Sequence, residues 1–132
     1  MSETIIGVRL GFFPAFKGRD SVLLHGTAHQ IYSFVPRLYE FLASSLEEWP
    51  VHEQALVSRR RPVRLFASRL RMSDDTGFRW RCSPAELPAI QARLLALAMS
   101  GSGHCYFALA ASRARLIVSV GEYPETWWHK HA

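Results

Sequence analysis

The opening stretch ETIIGVRLGFF alternates Ile6, Val8, Leu10 and Phe12 against Gly7, Arg9 and Gly11. A period of two is the pattern of a strand with one buried face. The turn-rich PAFKGRD then leads into a short second strand, SVLLHG. Thr27 and Gln30 have the T-x-x-Q spacing of a capping box, in which each side chain satisfies an amide left open at a helix start. Ile31, Phe34, Val35, Leu38, Phe41 and Leu42 follow at helical spacing and predict a helix over about 28–45, with Pro36 kinking it or marking a restart.

Further on, SLEEWPVHEQ reads as an acidic connector, and ALVSRRRPVRLFASRLRM as one or two strands broken near residues 59–62. The turn SDDTG returns the chain along FRWRC. Ser83 as cap, Pro84 at the first helical position and Glu86 three residues past the cap predict a helix start. That helix should run to about Met99 on a stripe of Leu87, Ile90, Leu94 and Leu97, with Pro88 making its first turns irregular. SGSG stops it. HCYFALAA and RLIVSV form a second hairpin, and GEYPETWWHKHA ends in a short helical turn carrying Trp127 and Trp128.

The order β-β-α-β-β-α-β-β predicts an α+β fold over residues 1–132 as a single domain. Its form would be a mainly antiparallel six-stranded sheet with two helices packed on one face. Within it, RLRMSDDTGFRWRC is expected to be a hairpin that sets Arg71 opposite Arg79 and Arg69 opposite Arg81. Leu70, Met72, Phe78 and Trp80 then share the face under the helices. Each like-charge pair costs roughly 0.2 to 1 kcal/mol, less when solvated. Two readings account for that cost. Either the arginines are solvated or met by Glu40, Glu47, Glu48 and Glu53, or they form a patch for an acidic protein surface or phosphates.

Composition bounds the class. With 132 residues, 48% of them hydrophobic, the chain is long enough to bury one core without metals or crosslinks. Runs such as LLALAM and LIVSV fall well short of the roughly 20 residues of a membrane span, and the opening lacks a secretory pattern, so the expected location is the cytoplasm. Cys82 and Cys105 have no CxxC spacing and fit the inward faces of strands as small hydrophobes. The formal net charge of +5 is uneven. Residues 58–82 hold eight arginines, Arg59, Arg60, Arg61, Arg64, Arg69, Arg71, Arg79 and Arg81, against Asp74 and Asp75 alone. Such an excess describes one face and its partner.

Catalytic patterns are missing from the sequence. His25 and His29 are four apart but lack HExxH, and His129 and His131 lie in the tail. SGSGH follows a helix and lacks the lysine of a phosphate loop, and neither GxSxG nor the deaminase pattern occurs. The expectation is a non-enzyme with no cofactor and no metal. Arginines interleaved with aromatics in RLFASRLRM and FRWRC offer a nucleic-acid-binding module as the alternative reading. Against it, Phe78 and Trp80 fall on the face opposite Arg79 and Arg81.

The segment GHCYFALAASRARLIVSVGEYPETWW resembles the closing hairpin and aromatic tail of small bacterial immunity proteins from polymorphic-toxin systems, such as contact-dependent inhibition or type VI secretion. The resemblance implies a cytoplasmic single-domain α+β protein that neutralises one cognate toxin by tight binding. It carries no site residues across. The basic cluster departs from the acidic character of nuclease inhibitors and suits a toxin with an acidic surface instead. The expected contact residues are therefore Arg59, Arg60, Arg61, Arg69, Arg71, Arg79 and Arg81, with Trp127 and Trp128 as exposed aromatics.

Overall fold

The computed structural model describes residues 6–69 and 74–132. β1 (Arg9–Phe16) and β2 (Arg19–Gly26) form the first antiparallel hairpin. α1 (Ala28–Ala43) follows behind the capping box read from the sequence: the Gln30 N–H donates to Thr27 Oγ1 at 3.1 Å, and the Thr27 N–H donates to Gln30 Oε1 at 2.9 Å. The helix continues through Pro36 without a restart. The acidic connector contains structure of its own: β3 (Glu48–Pro50), a single 3₁₀ turn (Val51–Gln54) and β4 (Leu56–Val57). β5 (Leu65–Ser68), β6 (Phe78–Arg81), α2 (Leu87–Ser100), β7 (Gly103–Ala108), β8 (Arg115–Val120) and α3 (Glu125–His131) complete the order.

Among the described residues these strands make two sheets, in place of the single six-stranded antiparallel sheet expected. The larger has the order β4-β1-β2-β8-β7 and is mixed, because β8 joins the first hairpin by pairing parallel to β2, Leu23 opposite Ile117. β8 is buried along nearly its whole length, the environment that a continuous apolar run such as LIVSV needs. The smaller sheet has the order β3-β5-β6.

β5 and β6 are parallel neighbours, with Phe66 opposite Arg79 and Ala67 opposite Trp80. Among the described residues Arg81 thus faces Ser68 of a parallel strand, in place of the Arg69 of an antiparallel one that the expected hairpin set opposite it. The facing positions assigned to Leu70, Arg71 and Met72 lie outside the described residues.

α1 and α2 pack against each other. One continuous core joins them to the inner faces of both sheets, through Leu10, Val22, Leu24, Leu116 and Val118 of the larger and Trp49, Ala67 and Trp80 of the smaller. Cys82 is fully buried there, and Cys105 packs against the same core from β7. Burial pushes both thiols above their ordinary range, which suits inert, hydrophobe-like cysteines.

α2 begins later than its sequence predicts. Ser83 caps nothing, and its hydroxyl donates to the Glu86 carboxylate at 3.0 Å. Pro88 is the reason. A helix started at Pro84 would need an N–H from residue 88 to the residue-84 carbonyl, and proline lacks the N–H and its ring collides there. With the first helical residue at Leu87, Pro88 sits where no intrahelical bond is required.

The far face of the larger sheet is apolar too, and α3 covers it. Phe13, Leu23 and Ile117 pack there with Trp128, while Phe16, Tyr123 and Trp127 border the cluster. This corrects the reading of Trp127 and Trp128 as exposed aromatics. Trp128 is buried and Trp127 half-buried, because Leu23 and Ile117 would otherwise face water.

Candidate functional site

The arginine cluster divides into two groups with different surroundings. β6 keeps the expected alternation, Trp80 toward the helices and Arg79 away from them, but the face carrying Arg79 is covered rather than open. Arg79 is only 6% exposed. Its Nε donates to Glu48 Oε2 at 2.7 Å, its Nη2 to Glu48 Oε1 at 3.2 Å and its Nη1 to Asp74 at 2.6 Å, while the guanidinium lies 4.6 Å from the Phe66 ring centre. The bond from Arg79 holds the Glu48 carboxyl below its usual range. Asp74, bonded mainly by Thr76 and then by Arg79, is held at about 2.

Arg69 and Arg81 are likewise engaged. Arg69 donates to the Leu42 and Ser44 carbonyls at 2.9 Å each, satisfying acceptors left open at the end of α1, and stacks over Phe41. Arg81 pairs with Glu86. These three arginines do not share an open sheet face, which corrects the patch expected there; Arg71 lies outside the described residues.

The second group is the loop SRRRPVR after β4. Arg59, Arg60, Arg61 and Arg64 are all exposed and have no carboxylate partner among the described residues. The loop backbone is nevertheless fixed. The Ser58 N–H donates to the Leu10 carbonyl at 2.8 Å, the Phe12 N–H to the Arg61 carbonyl at 3.0 Å, and the Arg61 N–H to Ser58 Oγ at 3.0 Å. Gly11 leaves room for the Phe13 ring, which a Cβ there would meet at 2.9 Å, while the Arg61 carbonyl of the loop would lie 3.4 Å away.

Beside this loop is a cavity of about 610 Å³, walled by Arg9 of β1, Leu56 to Arg60, and Glu125, Trp128 and His129 of α3. The fold thus brings Arg59 and Arg60 together with Trp128, three of the residues singled out in the sequence. Arg61 stands outside it, 5.9 Å from the Phe13 ring centre. Arg9 and Glu125 escaped the sequence reading because they come from opposite ends of the chain and carry no shared motif, and His129 was read there only as part of the tail. Arg9 and Glu125 form a close two-point ion pair, so their charges cancel and the Arg9 guanidinium is held in place. The Trp128 indole N–H is buried and finds no acceptor among the described residues, a situation that costs about 1 to 3 kcal/mol.

A polar strip crosses the same sheet face beyond α3. Ser119 and His104 bond the Glu122 carboxylate at 2.7 and 3.0 Å, and the Tyr106 hydroxyl meets His104 Nε2 at 3.0 Å. Next to it, His25 Nε2 accepts the N–H groups of Glu122 and Tyr123 at 3.2 and 3.1 Å, fixing the turn that launches α3.

That role requires a neutral imidazole. Burial lowers the His25 pKa, opposed by the carboxylates of Glu122 and Glu125. With the folded value below the unfolded one near 6.5, the unfolded chain binds protons first as pH falls. The His25 contribution is therefore complete above about pH 7 and is lost on acidification from about 6.5 downward. Denaturant midpoints measured across this range should fall toward acid, and His25→Gln, which keeps an acceptor but cannot titrate, should flatten the decline.

Compared with known proteins, the chain matches no family model, no curated protein and no solved structure.

Proposed function

We propose that this is a non-catalytic binding protein of the immunity type, which neutralises a cognate bacterial toxin by docking the arginine loop, residues 59–64, on an acidic surface of that toxin. One observation carries the reading. Of the eight arginines between residues 58 and 82, the four on this loop are exposed, without carboxylate partners among the described residues and held on a fixed backbone, whereas Arg69, Arg79 and Arg81 are engaged internally. Clustered unpaired guanidinium groups repel one another, and an acidic partner relieves that repulsion while gaining bidentate contacts. The cytoplasm is the compartment in which such an inhibitor would meet its toxin, and no helix among the described residues is long and apolar enough to cross a membrane.

Binding kinetics against the product of the adjacent gene test the proposal. Changing Arg59, Arg60, Arg61 and Arg64 to Gln should slow association at least tenfold and remove most of its salt dependence. An unchanged association rate would exclude the loop as the docking surface. Binding instead to unrelated nucleic acids, with affinity falling steeply as salt rises, would favour the nucleic-acid module.

A further inference from the structure

We propose that the cavity beside the arginine loop binds a phosphorylated small molecule, with Arg59 and Arg60 holding the phosphate and Leu56, Val57 and Trp128 walling its organic part. The volume of about 610 Å³ is in the range of small-molecule sites, and a phosphate alone would leave most of it empty. The lining is divided accordingly: Arg59, Arg60 and His129 supply donors, while Ala55, Leu56, Val57 and Trp128 supply apolar wall.

Charge narrows the ligand further. Arg9 and Glu125 neutralise each other, so the arginine charge of this lining that no described side-chain carboxylate meets is that of Arg59 and Arg60. A phosphate monoester carries about −1.5 to −2 near neutral pH and presents three terminal oxygens, which matches two guanidinium forks. A single carboxylate would occupy one fork and leave the other unpaired. Because Ser58 and the Phe12–Arg61 backbone bond fix the loop, neither arginine has to be gathered in from a mobile segment.

The site shares Arg59 and Arg60 with the proposed toxin-binding loop but does not depend on that function, since Arg61 and Arg64 lie outside the cavity. Calorimetry and intrinsic tryptophan fluorescence on the full chain, with AMP, ribose 5-phosphate, inorganic phosphate and adenosine as probes, test it. AMP should bind at submillimolar concentration, and adenosine and inorganic phosphate at least tenfold more weakly, with ribose 5-phosphate between. Arg59→Gln with Arg60→Gln should weaken AMP at least tenfold at an unchanged melting temperature, whereas Arg61→Gln with Arg64→Gln should leave AMP binding intact. Failure of AMP to bind at millimolar concentration would overturn the proposal, as would equal binding of adenosine and AMP. So would inorganic phosphate binding as tightly as AMP, or wild-type AMP affinity in the Arg59/Arg60 variant. Loss of toxin binding in the Arg61/Arg64 variant, with AMP binding kept, would separate the two functions.

Discussion

Arg79→Ala is expected to destabilise the fold by roughly 3 kcal/mol, the lower end of the cost of breaking a buried ion pair. The arginine is almost wholly enclosed, yet Glu48 keeps about a quarter of its side chain in water and can be rehydrated in part. Loss of the guanidinium leaves Glu48, among the described residues, with the Ser68 hydroxyl at 2.9 Å, and uncovers the ring of Phe66. It also frees the 74–77 turn, which Arg79 holds through Asp74 and the Gly77 carbonyl. Urea unfolding measures the loss, and a change below about 0.5 kcal/mol would mean the pair is no more than a surface contact.

The same variant should respond differently to acid. Glu48 and Asp74 are held below their ordinary values, so the stability they contribute is present above the unfolded carboxyl range near 4 and fades as pH falls toward 2. Without Arg79, that acid-side decline should be shallower. A double variant, Arg79→Ala with Glu48→Ala, should cost less than the two single changes added together, because the orphaned carboxylate is gone.

Trp80→Ala is expected to cost about 3 to 5 kcal/mol, the range for deleting a large buried aromatic. Trp80 is 2% exposed and joins three parts of the fold. From β6 its ring stacks on Phe34 of α1 at 6.2 Å and tilts against Phe107 of β7 at 5.0 Å, and Phe34 in turn meets Trp49 of β3. Removing it opens a cavity where the smaller sheet meets the larger sheet and α1, a junction that cannot collapse without moving both. Denaturant titration followed by far-ultraviolet circular dichroism checks the value. A loss under about 1 kcal/mol would place the junction elsewhere.

Local signals were legible where one short stretch decides the outcome. The Thr27–Gln30 box, the helical stripe ending at Leu42, the stop at Gly101 and the core position of Trp80 all follow from neighbouring residues. Alternation also told which side of β6 carries Arg79, but it is silent about what lies over that side. The cover is Glu48, 31 positions earlier, on a strand of three residues that is too short to show a period. The parallel pairing of β5 and β6 was hidden for a related reason, since a turn-like SDDTG between two apolar stretches reads as a hairpin until tertiary contacts choose otherwise. One signal was present and unused. VLL in β2 and LIV in β8 are apolar on both faces, which calls for a second covering layer, and the tail carrying Trp128 supplies it. For the candidate site, the charge of Arg59 to Arg61 is plain in the sequence. The contributions of Arg9, Glu125 and His129 appear only once the first strand and the last helix are side by side.

Arg69, Arg79 and Arg81 are engaged within the fold, whereas Arg59, Arg60, Arg61 and Arg64 have no carboxylate partner among the described residues and are the ones proposed to meet an acidic surface. Urea unfolding of the variant with Arg59, Arg60, Arg61 and Arg64 all changed to Gln tests this division most directly. Its unfolding free energy should stay within about 0.5 kcal/mol of the wild type, as for surface positions without partners, or rise slightly as repulsion is relieved. A loss of about 2 kcal/mol or more, comparable with that of Arg79→Ala, would contradict the division and make the loop arginines part of the fold.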